Sequence, residues 1–582
     1  MNNALSKWII SASGWRTIFA KSGDEQDKTT DISNENANLV AAASKAFCDY
    51  IKDRNGSACQ IILGKDTRPT GSVICEIFYD IMKKNGLTVY YIGTTAAPEI
   101  MAFSRKFDAF VYVSASHNPI GHNGIKFGLN DGGVLPGSEC DIIKEKFLNI
   151  IKSNSIPKIS DDICLSIDKT KKQEAISSYF DFTKEVIADS SDFSVQESFF
   201  DTLKEKIATK PLTILADMNG SARCLSIDKN FLQYCGLGFE AINDKVGNIV
   251  HEIIPEPENM IYVADFMTKL QSQGKTDALL GYMPDCDGDR GNIVFWNEKT
   301  KRAEILKAQE VFALCVLSEL ASVRYAEKIA GIKPQKLAVA VNDPTSMRID
   351  EIAAKFNAEV FRAEVGEANV VNLARKLRHK GYVVRILGEG SNGGNITHPA
   401  AVRDPINTLF SLVKLLVMPE LFELWCEVSG LPIQKNISLS EIQETMPVFT
   451  TTGVTDSRAL LEIHTKDHTA LKAAYQSVLD LQWQNVGASF ATIYGIVSFE
   501  AVSNNGTEEI RNLKDFTKSA KGGLKLLLKD TGGNNVAFVW MRGSGTEPVF
   551  RVMCDVKGDN PKLEAFLLEW HTKMIQDADA FA

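Results

Sequence analysis

At 582 residues the chain is too long for one hydrophobic core and fits about three to five domains of ordinary size. Its 44% hydrophobic and 24% charged residues are those of a globular protein in water, and a formal charge of −9 argues against a nucleic-acid or anionic-membrane surface, so an anionic ligand must be met by local clusters of arginine and lysine. Eleven cysteines without a Cys-x-x-Cys pair read as free thiols in a reducing compartment; with no signal-like apolar core in Met1 to Ile10 and no run of membrane-spanning length, the expectation is a cytoplasmic protein with no nucleic-acid or membrane partner.

Apolar strand-like runs at Gln60 to Leu63, Phe110 to Val113, Leu212 to Ala216, Ala278 to Met283, Leu337 to Val341 and Val383 to Leu387 alternate with amphipathic stretches such as Asn38 to Ile51 and Gln309 to Tyr325. This alternation predicts α/β layers with mixed, mainly parallel sheets. Ligand chemistry in such sheets belongs at the carboxyl ends of the strands. Polar stretches at Lys152 to Ser178 and Asn436 to Gln443 read as insertion and linker segments, and no internal repeat is visible.

Four runs put reactive side chains just beyond strands. In Val111-Tyr-Val-Ser-Ala-Ser116-His117-Asn-Pro119, continuing to Asn123-Gly124-Ile-Lys126, a buried-strand pattern stops at a turn and leaves a hydroxyl exposed. The neighbours Ser116 and His117 do not suggest a hydrolase-type serine and base. In Gly281-Tyr-Met-Pro-Asp285-Cys-Asp287-Gly-Asp289-Arg290, carboxylates at alternate positions point one way from an extended segment and need a cation, for which all-oxygen ligands suit Mg²⁺. A calcium EF-hand is excluded, because Arg290 stands where the sixth-position glycine belongs and Trp296 where the twelfth-position glutamate belongs. Val383 to Gly394 carries Glu389 and Ser391, oxygen donors for sugar hydroxyls. Ala537 to Pro548 brings a strand into Arg542-Gly-Ser544-Gly545-Thr546, with Arg551 just beyond, and reads as a phosphate cradle that is not a Walker loop.

Together and in this order the runs resemble the α-D-phosphohexomutase superfamily, with its phosphoserine loop at Ser114 to Pro119, metal loop at Asp285 to Arg290, sugar loop at Gly388 to Ser391 and phosphate loop at Arg542 to Pro548. Ser13-Gly14-Trp15-Arg16 and Gly64-Lys-Asp66-Thr-Arg68 match two smaller family motifs. The resemblance implies four domains around a central cleft: three similar α/β domains at about residues 1–205, 206–322 and 323–437, and a C-terminal α+β domain at 438–582.

The implied reaction moves phosphate between the C1 and C6 hydroxyls of a hexose. Phosphorylated Ser116 donates to a sugar monophosphate, a hexose 1,6-bisphosphate forms and turns over, and the other phosphate returns to Ser116. Glucose 1,6-bisphosphate is then intermediate or activator, and Mg²⁺, on Ser116, Asp285, Asp287 and Asp289, is the cofactor. A phosphoserine of about −2 beside three aspartates totals about −5, which Mg²⁺, Arg290, Lys126 and Arg16 offset. By similarity Lys126 is the candidate base, its pKa lowered by neighbouring cations. Arg16 and His117 complete the catalytic group, with His117 as a loop or phosphate contact. Substrate contacts fall to Arg290, Glu389, Ser391, His398, Arg403, Arg542, Ser544, Gly545, Thr546 and Arg551. The sugar loop lacks the Gly-His of bacterial dual-specificity members, which leaves the general acid unassigned. The longer phosphoglucomutase form fits better, through His398 and Arg403-Asp404, and points to glucose phosphates; phosphomannomutase and phosphoglucosamine mutase are the alternatives within the family. A serine-dependent metal phosphatase would need no second phosphate cradle, and a non-catalytic relative would have lost Ser116 or an aspartate. A monomer or homodimer is expected.

Overall fold

The computed structural model describes residues 2–11, 13–433, 437–520, 522–543 and 550–581. The chain forms two compact units, one of residues 1–306, 394–419 and 438–440, the other of residues 307–393, 420–437 and 441–582. Among the described residues no helix is long and apolar enough to cross a membrane.

The first unit holds two sheets. One is six-stranded, in the order Ile9–Ser11, Gly14–Ile18, His122–Leu129, Ala109–Val113, Gln60–Lys65, Thr88–Thr94. Its last three strands are parallel and the rest antiparallel. Ala109–Val113 is buried at every position, as a strand covered on both faces must be. On one face lies Asn34–Asn55, whose start is capped by Ser33 Oγ accepting the Asn36 N–H at 3.2 Å and whose end is turned by Gly56 at φ 84°. Its Phe47 stacks on Phe127 with ring centroids 5.0 Å apart, and each such buried ring contributes about 1.5–3 kcal/mol. The five-stranded sheet runs Arg302–Ile305, Asn292–Asn297, Ala278–Met283, Thr213–Asp217, Gly238–Ile242, again with three parallel strands and an antiparallel edge.

In the second unit Leu337–Asn342 lies between Ala358–Ala363 and Ile386–Gly388, parallel to both. An antiparallel sheet follows, in the order Phe449–Thr451, Phe550–Lys557, Asn535–Gly543, Gly523–Lys529, Ser498–Asn505, Glu508–Ile510. One face packs through Val502, Phe538 and Trp540 on Met347, the other on the helices His468–Tyr494 and Pro561–Phe581.

The mixed α/β sheets are those expected. Two stretches differ from expectation. The stretch read as a polar insertion becomes, from Lys169, the helix Lys169–Ala188, because Ala175, Tyr179, Thr183 and Ile187 recur every four residues and are buried beneath its charged face. Asn436 lies outside the described residues, and from Leu439 that linker enters the helix Leu439–Glu444. A repeat does exist, in topology rather than sequence: in all three parallel sets the first strand is central and the third lies beside it, and the loop after the third strand carries Ser116, Asp285 or Glu389.

Candidate active site

Beyond Ala109–Val113, Ser116 takes a left-handed backbone, φ 55°, which costs a residue with a Cβ about 1–2 kcal/mol. It is held there from both sides. Its N–H donates to Ser114 Oγ at 2.9 Å, and its carbonyl accepts from Arg68 Nη2 at 2.8 Å. Arg68 is wholly buried and fixed in turn by Asp66, at 2.7 Å from Nη1. The Ser116 hydroxyl donates to Asp285 Oδ2 at 2.6 Å.

Asp285 opens the loop after Ala278–Met283. An extended segment was expected to align the three aspartates; instead the chain turns at Gly288, φ 73°, where a Cβ would lie 2.4 Å from Arg223 Cγ. The turn brings oxygens of Asp285, Asp287 and Asp289, all buried, within 4.8 Å of one another. At that spacing each ionised pair repels by roughly 3–4 kcal/mol at an effective dielectric of about 20. Two cations answer directly: Lys126 Nζ is 2.7 Å from Asp287 Oδ2, and Arg403 Nη2 donates to Asp289 Oδ1 at 2.9 Å. Asp287 also accepts from Ser114 Oγ at 3.0 Å.

Asp285 and Asp287 consequently differ. Burial, then the charges of Asp287 and Asp289, push the Asp285 carboxyl up to about 7. Burial also opposes ionisation of Asp287, but Lys126, with Ser114 and Arg68, outweighs it and holds that carboxyl below its usual range. Asp287 Oδ1 is buried with no hydrogen-bond partner. Three converging carboxylates and an unpaired buried oxygen of Asp287 fit a hard divalent cation such as Mg²⁺.

The remaining residues divide between contacts expected and contacts not. Gly14–Ile18 pairs with His122–Leu129 so that Arg16 lies opposite Gly124, and Arg16 Nη2 donates to the Ser13 carbonyl at 3.0 Å. Lys126 was expected to have a lowered pKa, and the direction is the reverse: burial disfavours its ammonium, but Asp287 and Asp289 prevail over burial and Arg16 and raise it. His117 Nδ1 accepts from Arg290 Nη2 at 3.1 Å and lies 3.5 Å from Ser116 Oγ. Burial, Arg290, Arg16 and Arg403 keep that imidazole neutral, far below its usual pKa, and with Nδ1 already engaged it is poorly placed as a base. Arg290 Nη1 is 3.5 Å from Glu256.

The sugar-loop run is divided. His398, half-buried, and Arg403 belong to the first unit, Glu389 and Ser391 to the second. Glu389, buried, accepts from Asn342 Nδ2 at 3.1 Å, the Gly366 N–H at 2.7 Å and Asn392 Nδ2 at 3.0 Å, which fixes its carboxylate plane. Ser391 is buried beside it in sequence. Arg542 and Arg551 face each other across neighbouring antiparallel strands. Arg542 Nη2 is 2.8 Å from Glu364 and Arg551 Nη1 donates to the Val454 carbonyl at 3.0 Å. Ser544, Gly545 and Thr546 lie outside the described residues.

Residues not singled out for the site include Ser114, Arg68, Asp66 and Asn342, which orient its members. Asp66-x-Arg68 was legible as a motif; the aim of Arg68 at the Ser116 carbonyl, 48 residues away, was not.

The fold and site define a multidomain α/β protein with a serine hydroxyl set against a buried acidic cation site. The family models for phosphoglucomutase/phosphomannomutase alpha/beta/alpha domains I and III match residues 23–154 and 319–446. Two segments of the chain thus match domains of the phosphoglucomutase/phosphomannomutase family, in line with the α-D-phosphohexomutase superfamily that its motifs resemble. It is 24% identical over 320 residues to a phosphoglucosamine mutase of Methanococcus aeolicus, a match covering 54% of this chain and 61% of that relative's length. A phosphoglucomutase/phosphomannomutase family protein of Burkholderia thailandensis has a similar structure, with TM-score 0.60 and 16% identity over 98% of this chain and 97% of that one. The Paramecium phosphoglucomutase parafusin, in its open form, gives TM-score 0.62 and 15% identity over 98% and 95%.

Proposed function

We propose that the chain is a phosphohexomutase that interconverts hexose 1-phosphate and hexose 6-phosphate through phosphorylated Ser116. The observation that carries this reading is the Ser116 hydroxyl 2.6 Å from Asp285 within the three-aspartate cluster. Mg²⁺ held by Asp285, Asp287, Asp289 and the phosphorylated serine would supply charge neutralisation to the transferred group.

This chain's residues do the rest by positioning. The strained Ser116 backbone presents its oxygen to the accepting sugar hydroxyl, and phosphoryl transfer breaks the Ser116 O–P bond as the sugar O–P bond forms. Lys126 is the candidate base for that hydroxyl, and it takes up the proton only after giving the one it holds against Asp287 to solvent. Arg16, Arg290 and the neutral His117 contact phosphate oxygens. Glu389, locked by Asn342, Gly366 and Asn392, takes sugar hydroxyls with Ser391. His398, Arg403, Arg542, Ser544, Gly545, Thr546 and Arg551 serve the remote phosphate and sugar. The hexose 1,6-bisphosphate then returns its other phosphate to Ser116, restoring the enzyme.

Glucose phosphates are the reading carried by His398 and Arg403-Asp404. Glucosamine phosphate is a second reading, favoured by the phosphoglucosamine mutases among the relatives. Coupled assays with glucose, mannose and glucosamine phosphates choose between them. Intact-mass and peptide mapping should find a phosphate on Ser116, and chelation should stop isomerisation. Release of free phosphate faster than isomerisation, or full activity in excess chelator, would overturn the mutase reading.

A further inference from the structure

One buried arginine outside the four sequence runs touches several elements that build the site. Arg223 lies in the short helical turn Ala222–Leu225 after the strand Thr213–Asp217, and its side chain is wholly buried. Its Nε donates to Asp228 Oδ1 at 2.9 Å and Oδ2 at 3.0 Å. Its Nη1 faces three acceptors: the Tyr179 hydroxyl at 3.0 Å, Asp404 Oδ1 at 3.3 Å and the Gly288 carbonyl at 3.4 Å.

Two of those acceptors lead into the cation site. The Gly288 carbonyl sits between Asp287 and Asp289, and the arginine stem fills the space where a Cβ on Gly288 would stand, 2.4 Å from Arg223 Cγ. The neighbouring Ala222 N–H donates to the Cys286 carbonyl at 3.0 Å in the same loop. Asp404 accepts from the Tyr179 hydroxyl at 2.6 Å and caps the helix Pro405–Val417 through the Ile406 N–H at 2.9 Å. The residue before it, Arg403, donates to Asp289. A guanidinium can serve these directions at once because its donors form a rigid planar fork; a lysine ammonium on a flexible stem cannot.

We propose that Arg223 is a positioning residue: through the Gly288 carbonyl and Asp404 it sets the aspartate turn and Arg403 together, in the arrangement that receives a divalent cation. The inference rests on the metal reading of Asp285, Asp287 and Asp289. A purely structural arginine would lower stability when replaced and leave the cation affinity of the folded protein alone.

The test uses the full chain and Mn²⁺ as the probe, with free Mn²⁺ read by electron paramagnetic resonance and folding by circular dichroism and urea midpoint. Wild type should bind Mn²⁺, and Asp285→Asn should bind it at least about 100-fold more weakly. In folded Arg223→Lys the Kd should rise about 10- to 100-fold, the range for residues that orient metal ligands. Tyr179→Phe, which keeps the arginine but removes the bond to Asp404, should raise it about threefold. Wild-type affinity in both variants, beside loss in Asp285→Asn, would overturn the positioning role alone. No Mn²⁺ binding by wild type would overturn the metal reading and this inference with it. Should Arg223→Lys fail to fold, Tyr179→Phe decides, and an unchanged Kd there refutes the role.

Discussion

Asp285, Asp287 and Asp289 crowd into one turn beyond a parallel strand of the first unit, their oxygens within 4.8 Å. In the second unit, Asp343, Glu364 and Glu389 stand singly, one beyond each of three parallel strands, and each has its own donors. Asp343 is 2.7 Å from Lys525 Nζ and accepts from Trp540 Nε1 at 2.7 Å. Glu364 pairs with Arg542 and accepts from the Gly506 N–H at 2.8 Å. Glu389 is held by amides. One arrangement crowds carboxylates that together suit a cation; in the other each carboxylate has its own donors and presents oriented hydrogen-bonding groups. The strand topology is shared, and the distribution of acids along the loops makes the difference.

The largest expected effect removes what the crowded acids serve. Ser116→Ala should abolish isomerisation, a loss on the order of a thousand-fold or more, with the fold retained, since nothing else can carry the phosphoryl group. Near-wild-type turnover in a coupled assay would break the comparison at its centre.

A matched pair of substitutions sharpens it. Asp285→Asn should weaken Mn²⁺ binding by at least about 100-fold without lowering the stability of the metal-free protein at pH 8, because the carboxyl lost is the one that resists ionisation. The sign follows from its raised pKa: the native state binds more protons than the unfolded chain between pH 3.8 and about 7, so metal-free wild type loses stability as pH rises through that window and the variant does not. Asp343→Asn should do the opposite, leaving Mn²⁺ affinity unchanged and costing about 3–5 kcal/mol of stability, because the buried Lys525 ammonium loses its countercharge and keeps only the carbonyl of residue 343. Urea unfolding and Mn²⁺ titration of both variants would show the exchange of effects or its absence.

In the balanced region Arg542→Ala should weaken glucose 1-phosphate and glucose 6-phosphate alike, by about 1.5–3 kcal/mol for one charge-assisted hydrogen bond. Equilibrium dissociation constants unchanged for both ligands would remove Arg542 from the phosphate cradle.

The smallest effect concerns Lys472, whose Nζ donates to the carbonyls of Ala520 at 2.8 Å and Gly522 at 2.6 Å. Burial, then the charge of Arg542, lowers its pKa from 10.5 to about 8. Between these values the unfolded chain binds the extra proton, so this residue's contribution to stability rises with pH through that window and is lowest below it. The stability of wild type relative to Lys472→Met should therefore be greater at pH 9.5 than at pH 7, and a pH-independent difference in urea midpoints would refute it.

Much of this was legible in the chain itself. Unbroken apolar runs marked strands such as Ala278–Met283, since a strand covered on both faces tolerates little else. The helix Lys169–Ala188 was hidden by lysines and serines on its outer face, and the threefold topology was implied by the family resemblance and not by any repeat of residues. In the site, Ser116, the aspartates and the arginines were visible as residue types that phosphate and cation chemistry require.

The sequence by itself determined the chemical inventory and the strand ends that present it, because local pattern and turn propensity act over a few residues. Tertiary structure alone decided the pairing. Ser116 meets Asp285 across 169 residues, Lys126 meets Asp287 across 161, and Arg403 meets Asp289 across 114. Contacts at such separations depend on how whole sheets pack, and the pairing determines which carboxylate keeps a proton, which lysine holds one and which oxygen is left for a cation.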